Sequence, residues 1–243
     1  MLQLKPEGMP LADVVSQPVA VCGRQLIADN SGALYWPSQR TLLVADLPLQ
    51  DSSAGAGGAG NGASPRHTNA RQALVRLAET LDRYDPAMIV VLGVGSDDTA
   101  GVARLAPEDL EVLGILQEDR TWVWVTGLPV ADAAPQLGGS VCGELEISGI
   151  VLRRRPTPGW ATHEIAGAMR PAARFSMYGY DLRRACFVGN GRRLLMPAFG
   201  AAAGGVNVLD DAFRPLFPDG RMAVWMLGHE ALYPVAPRFL AGD

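Results

Sequence analysis

Three apolar segments of this 243-residue chain run into loops that carry polar side chains. Strands predicted to end at Asp46, Leu92 and Thr126 each deliver the chain into such a loop, where open α/β sheets place their chemistry. The acids near these ends are Asp46 and, past Leu92, Asp97 and Asp98. Asp97 and Asp98 could join Asp46 around one cation, or could cap a turn or helix, as aspartates after a strand commonly do. Gly93-Val94-Gly95-Ser96 starts like a dinucleotide loop, but it lacks the third glycine and no Gly-Lys-Ser/Thr follows, so nucleotide binding of that kind is rejected. His67, His163 and His229 form no pair at helical ligand spacing and read as structural or surface residues. Cys22, Cys142 and Cys186 lie far apart with no Cys-x-x-Cys, which argues against a disulfide framework or zinc knuckle and for buried free thiols.

The elements that must position these residues follow from hydrophobic pattern and turn chemistry. Val19 to Val21, Gln25 to Ala28, Leu34 to Trp36 and Thr41 to Ala45 are short apolar runs parted by Gly, Asn, Pro or Ser, and read as strands. Residues 52–64 are almost wholly Gly, Ala and Ser, with no side chain large enough to offset chain entropy, so a flexible loop is expected. From Ala70 to Tyr84, Leu74, Leu77, Ala78 and Leu81 recur at helical spacing. Asp85-Pro86 ends that helix, and Met88 to Leu92 is a continuous apolar run of the buried-strand kind. Pro107 opens a second helix, with Glu108 and Asp109 at its positive end, running to about Asp119 before the strand Trp122 to Val125.

Beyond residue 140 the pattern turns to hairpins. Ser148-Gly149 joins Leu145–Ile147 to Ile150–Leu152, and Asn190-Gly191 joins Cys186–Val188 to Leu194–Met196. A helical turn around Asp210 to Leu216 precedes a last strand, Met222 to Leu227. One α/β (α+β) domain over residues 1–243 is the expectation, since 48% hydrophobic content suffices for one substantial core.

Composition narrows the class. No apolar run approaches the roughly 18 residues of a membrane span, and Met1 to Pro10 lacks a signal-like pattern, so a cytoplasmic protein without membrane contact is expected. Lys5 is the only lysine among 21 basic residues, a bias that points to a GC-rich bacterial genome. Residues 1–150 carry nine basic and eighteen acidic side chains and residues 151–243 carry twelve and seven, so the halves stand at −9 and +5. Such asymmetry marks either an anion-binding face or an ordinary solvated surface.

Several segments carry a specific resemblance: Gly32 to Pro37, Thr41-Leu42-Leu43-Val44-Ala45-Asp46-Leu47, Arg183 to Val188, Met196-Pro197-Ala198-Phe199-Gly200 and Gly204-Gly205-Val206-Asn207-Val208. Together they resemble the ligase-associated DNA-damage-response endonucleases, a branch of the calcineurin-like metallophosphoesterases, over about residue 18 to Pro234. The resemblance implies a four-layer α-β-β-α sandwich of two mixed sheets flanked by helices, with two divalent metals such as manganese at the sheet edge. It also locates what is missing. Asp-x-His falls on Asp46-Leu47-Pro48, keeping the aspartate and losing the histidine. Gly-Asp falls on Gly93-Val94, which removes the carboxylate that would bridge two mutually repelling cations. Gly-Asn-His-Asp falls on Gly127-Leu128-Pro129-Val130, His-Glu-Pro on Arg154-Arg155-Pro156, and Gly-His-x-His on Gly167-Ala168-Met169-Arg170.

Of the seven ligand positions so implied, only Asp46 keeps a metal-binding side chain, and one carboxylate cannot hold a catalytic metal pair. Arg154 and Arg170 stand where metal-binding histidines would be, so guanidinium charge can replace the cations in a phosphate-shaped pocket, with Asp46 paired to one of them. The bland alternative is that both arginines point into solvent. The expectation is therefore a catalytically inactive homologue with no catalytic residue, metal or cofactor. It would act by binding a protein partner or an anionic ligand such as nucleic acid, with a link to DNA repair. The rival is a phosphodiesterase or endonuclease using one metal at Asp46, Asp97 and Asp98, or none, with Arg154 and Arg170 stabilising phosphoryl charge.

Overall fold

The computed structural model of the chain describes residues 15–49, 70–94, 105–126, 137–159, 163–177, 179–201 and 204–243. The loop expected at 52–64 lies outside them. Two sheets make the frame. The first contains β1 (Ser16–Val21), β2 (Arg24–Asp29), β3 (Leu34–Trp36), β4 (Thr41–Leu47), β5 (Met88–Val94), β6 (Thr121–Val125) and β7 (Ser140–Cys142) in that spatial order. β1 to β4 form an antiparallel meander, whereas β4 to β7 run parallel. α1 (Ala70–Tyr84) and α2 (Pro107–Gln117) lie in the β4–β5 and β5–β6 crossovers, because parallel neighbours need such a connection.

The second sheet takes β8 (Glu144–Ile147), β9 (Ile150–Arg153), β10 (Glu164–Ala166), β11 (Ala172–Met177), β12 (Tyr180–Gly189), β13 (Arg193–Leu195), β14 (Ala223–Leu227), β15 (Leu232–Val235) and β16 (Leu240–Ala241). Its order is β15-β14-β12-β13-β10-β9-β8, with β11 paired to β12 and β16 paired to β11. β10 is parallel to β9 and β13 and the other pairs are antiparallel, so both sheets are mixed, as expected for an α+β fold.

Strand alternation sorts the apolar side chains into layers. Leu43, Ala45, Val90 and Leu92 face the second sheet and pack with Leu152, Ile165, Phe187 and Leu194. Leu42, Val44, Ile89 and Val91 face the helices and pack with Leu74, Leu77, Leu81 and Leu113. Each fully buried leucine here contributes about 1.5–3 kcal/mol relative to exposure. The outer face of the second sheet buries Ala173, Cys186, Val188 and Val224 under Phe213, Leu216 and Phe217. Phe213 sits on the single turn Asp211–Phe213, which Asp210 caps by accepting from the Ala212 N–H at 2.9 Å, and Phe217 follows it, its N–H donating to the Phe213 carbonyl at 3.1 Å. No helix among the described residues is long and apolar enough to cross a membrane.

The differences from expectation have local causes. α2 stops at Gln117 because the backbone turns extended at Glu118, at ψ 137°, before Asp119 goes left-handed, at φ 58°. β7, β15 and β16 are two to four residues long, too short for an alternation signal, and owe their existence to a neighbour that supplies hydrogen-bond partners. All three cysteines are free; only Cys186 is buried, whereas Cys22 and Cys142 are half-buried, which corrects the expectation of three buried thiols.

A polar knot closes the base of the first sheet. Asp29 is fully buried. Its carboxylate accepts from the Ser31 N–H at 2.8 Å, from the Tyr84 hydroxyl at 2.7 Å and from Arg83 at 2.7 Å. Burial, and then the Asp29 carboxylate, push the Tyr84 phenol above the ordinary tyrosine range. The folded state thus prefers protonated Tyr84. Its stabilising contribution is complete below the unfolded value of about 10 and is lost as pH rises beyond it. Phenolate absorbance should show one tyrosine titrating late, and Tyr84→Phe should remove that step. A titration unchanged by Tyr84→Phe would contradict the assignment.

Candidate functional site

Asp46 lies at the end of β4, 3% exposed. The sheet is locally irregular there. Val44 and Leu47 both face the helices, three residues apart, so the alternation slips by one between them. β5 slips at the same level, since Val91 and Val94 share that face. The residues at the slip are left-handed, Asp46 at φ 46° and Gly93 at φ 87°, while the flanking pairs Ala45–Leu92 and Leu47–Val94 stay in register. Two matched slips act as bulges do: they re-aim the side chain without breaking the sheet.

The loop after β10 meets this edge. Gly167 sits so close to β4 and β5 that a Cβ would lie 2.9 Å from the Leu92 carbonyl and 3.0 Å from the Ala45 Cβ. Ala168 follows at φ 60° and donates its N–H to Asp46 Oδ2 at 3.1 Å. Arg170, at φ 46°, brings Nε within 3.8 Å of the same oxygen, with its side chain about half exposed. Non-glycine residues in this region cost about 1–2 kcal/mol each, and such residues cluster where the surrounding structure over-determines a functional geometry. Asp46, Ala168 and Arg170 are three within one contact group.

Arg154 enters from the end of β9. It is 8% exposed, and Nη1 donates to the Thr126 carbonyl, just beyond β6, at 3.5 Å. Its side chain lies over Gly93, where a Cβ would come within 3.0 Å of Nε. Glycine at 93 therefore serves twice, allowing the left-handed backbone and leaving room for the guanidinium.

The segment after Arg154 is tied down by a buried ionic network. Arg193 and Glu164 are 2% and 1% exposed and bonded to each other. Arg193 also donates to the Leu216, Thr157 and Gly159 carbonyls. Glu164 accepts from the Thr157 N–H at 3.3 Å and faces Arg153 Nε at 3.5 Å. Residues 157 and 159 are thus stapled to β10 and β13, which limits how far Arg154 can swing.

Of the residues singled out from sequence, Asp46 and Arg170 come together, and Arg154 lies at the ends of β5 and β6, the next two strands beyond β4. Asp97 and Asp98 lie outside the described residues, as do Leu128, Pro129 and Val130. Pro48 and Val94 supply no side-chain donor. His163 is exposed, at φ 60° before β10. Among the described residues no three of His, Cys, Asp and Glu are grouped to hold a metal ion. Sequence reading missed the Ala168 N–H, Gly93, Gly167 and the Glu164–Arg193 network. A backbone donor leaves no trace in residue type, but the isolated Glu164 in the apolar run Glu164-Ile165-Ala166 was a signal, since a buried acid needs a partner. Chemically, these strand ends combine one engaged carboxylate with a half-exposed guanidinium, Arg170, and a nearly buried one, Arg154, and guanidinium is a group suited to oxyanion recognition.

No family model matches the chain, and no curated protein matches it. Among solved structures it is similar to the crystal structure of Pseudomonas putida nuclease MPE, at 23% identity and a TM-score of 0.62, covering 90% of this chain and all of that one. At that identity the likeness is one of fold: the chain shares the two-sheet α+β architecture of a nuclease.

Proposed function

We propose that this chain is a catalytically silent relative of metallophosphoesterases that binds a phosphate-bearing ligand at the β4–β5–β6 edge. The observation that carries the reading is the state of Asp46: its Oδ2 accepts the Ala168 N–H at 3.1 Å and lies 3.8 Å from Arg170 Nε. A carboxylate so engaged already has protein partners at Oδ2. Two divalent ions about 4 Å apart need a bridging anion and several donors. The side chains of Pro48, Val94 and Ala168 offer none, and Arg154 and Arg170 add positive charge. This donor set does not fit a metal pair, whereas it does fit phosphate oxygens, which guanidinium forks bind in charge-assisted pairs.

Binding of a phosphate-bearing oligonucleotide should weaken at least tenfold in Arg170→Gln and again in Arg154→Gln, about 1.4 kcal/mol for each decade, with a steep salt dependence in the parent protein. Fluorescence anisotropy across a salt series reads this. Affinity untouched by both substitutions would remove the site from consideration.

A second reading keeps hydrolysis, because the fold is shared with a nuclease. It requires stoichiometric bound manganese together with turnover of an aryl phosphodiester that Asp46→Asn abolishes. Absence of turnover with manganese supplied is the outcome expected here.

A further inference from the structure

The arginine pair on β11 and β12 lies outside the cleft just described, and its chemistry is unusual. Arg174 and Arg183 stand directly opposite each other in the β11–β12 ladder. Like charges in that position repel and destabilise a strand pair unless anions compensate them. Here each guanidinium forks onto a carboxylate. Arg174 grips Asp181, its diagonal neighbour across the strand pair, through Nε at 2.8 Å and through Nη2. Arg183 grips Asp243, with Nε to Oδ1 at 3.1 Å and Nη2 to Oδ2 at 3.2 Å. Asn207 adds a donor to Asp243 Oδ1 at 3.2 Å, and Arg174 also donates to the Gly242 carbonyl at 3.0 Å. The Arg183 and Asn207 donors hold the Asp243 carboxyl below the usual carboxylate range.

The two carboxylates are not equivalent. Asp181 belongs to β12 itself. Asp243 is brought in by β16, a strand of two residues paired only through Arg174–Ala241 and Phe175–Leu240, and its side chain is half exposed. So short a ladder, held besides by the Asn207 donation to the Ala241 carbonyl at 2.9 Å and the Phe175–Phe239 ring contact, lies nearer the low-stability end of a structure than β12 does. A planar fork plus an amide, converging on one carboxylate with two oxygens, is also the donor set that takes two oxygens of a phosphate, which carries more charge.

The geometry points to a second oxyanion site at Arg183 and Asn207, which the Asp243 side chain occupies in cis and from which a phosphate-type anion displaces it. The site adjoins the cleft through one residue. Arg183 donates to the Gly205 carbonyl, and the Gly205 N–H donates to the Arg170 carbonyl at 2.8 Å. Asp243 is thus a built-in competitor beside the cleft.

The test uses the full chain, inorganic phosphate as probe and calorimetric titration at low salt. An Arg170→Gln background weakens the cleft, so that failure here is separable from failure of the cleft reading. Adding Asp243→Asn should tighten phosphate binding at least tenfold. Adding Arg183→Gln as well should abolish the gain, and Asp243→Glu, which keeps a carboxylate, should bind as the Arg170→Gln parent does. Thermal melts of each variant confirm folding. The proposal is overturned if Asp243→Asn leaves affinity unchanged, if the gain survives Arg183→Gln, or if Asp243→Glu shows the same gain.

Discussion

Arg193→Met should destabilise the protein by about 3–5 kcal/mol, the usual cost of removing one partner from a buried ion pair, read as a lowered midpoint in urea. The reason is the company Arg193 keeps. Its guanidinium is 2% exposed, bonded to Glu164 and to the carbonyls of Leu216, Thr157 and Gly159. Methionine fills much of the volume but donates nothing, so a carboxylate 1% exposed loses its main counter-charge. Arg153 Nε at 3.5 Å remains, but that side chain is shared with Glu144 at 3.3 Å. The double variant Glu164→Leu with Arg193→Met should recover part of the loss, because an apolar pair leaves no charge stranded. A cost below about 1 kcal/mol for the single variant, the scale of an exposed pair, would show that the network does not hold these strands together.

Gly167→Ala should cost about 1–3 kcal/mol, the range for overpacking a tight core site, and should also disable the cleft. A methyl at 167 would sit 2.9 Å from the Leu92 carbonyl and 3.0 Å from the Ala45 Cβ. Neither is the end of a flexible side chain, so the loop after β10 must retreat from the first sheet. The Ala168 N–H then leaves Asp46, and Arg170 moves with it. Ligand affinity should fall at least tenfold beyond any share due to unfolding, which separates this variant from Arg193→Met compared at matched fraction folded. A crystal structure of Gly167→Ala with the 3.1 Å bond intact would contradict this account. Gly167 is therefore expected to act as a joint between the two sheets that holds Ala168 against Asp46.

How much of this was legible beforehand depended on how local the cause was. The helix Ala70–Tyr84 was readable because an amphipathic period is a property of adjacent residues, and its buried face is Ala70, Ala73, Leu74, Leu77, Thr80 and Leu81. β4 to β6 were readable because strands buried on both faces must be apolar throughout. The Ser148-Gly149 hairpin was readable because its turn requires two left-handed residues, found at φ 51° and 80°. β11, with its exposed Ser176 and half-buried Arg174, gave no such pattern; it forms because β12 and β16 both pair with it.

The same division runs through the candidate site. Sequence could name Asp46 as a lone acid beside Pro48, Val94, Ala168 and Arg170 only through a resemblance, which implied that these positions are remnants of a ligand set. Sequence could not say what Asp46 touches. That was settled by contacts across 122 residues of sequence, between Asp46 and Ala168, and by the matched slips in β4 and β5. A side chain's chemistry is intrinsic to the residue, whereas its partners are set by long-range packing, to which backbone N–H groups and missing Cβ atoms contribute as much as any charged group.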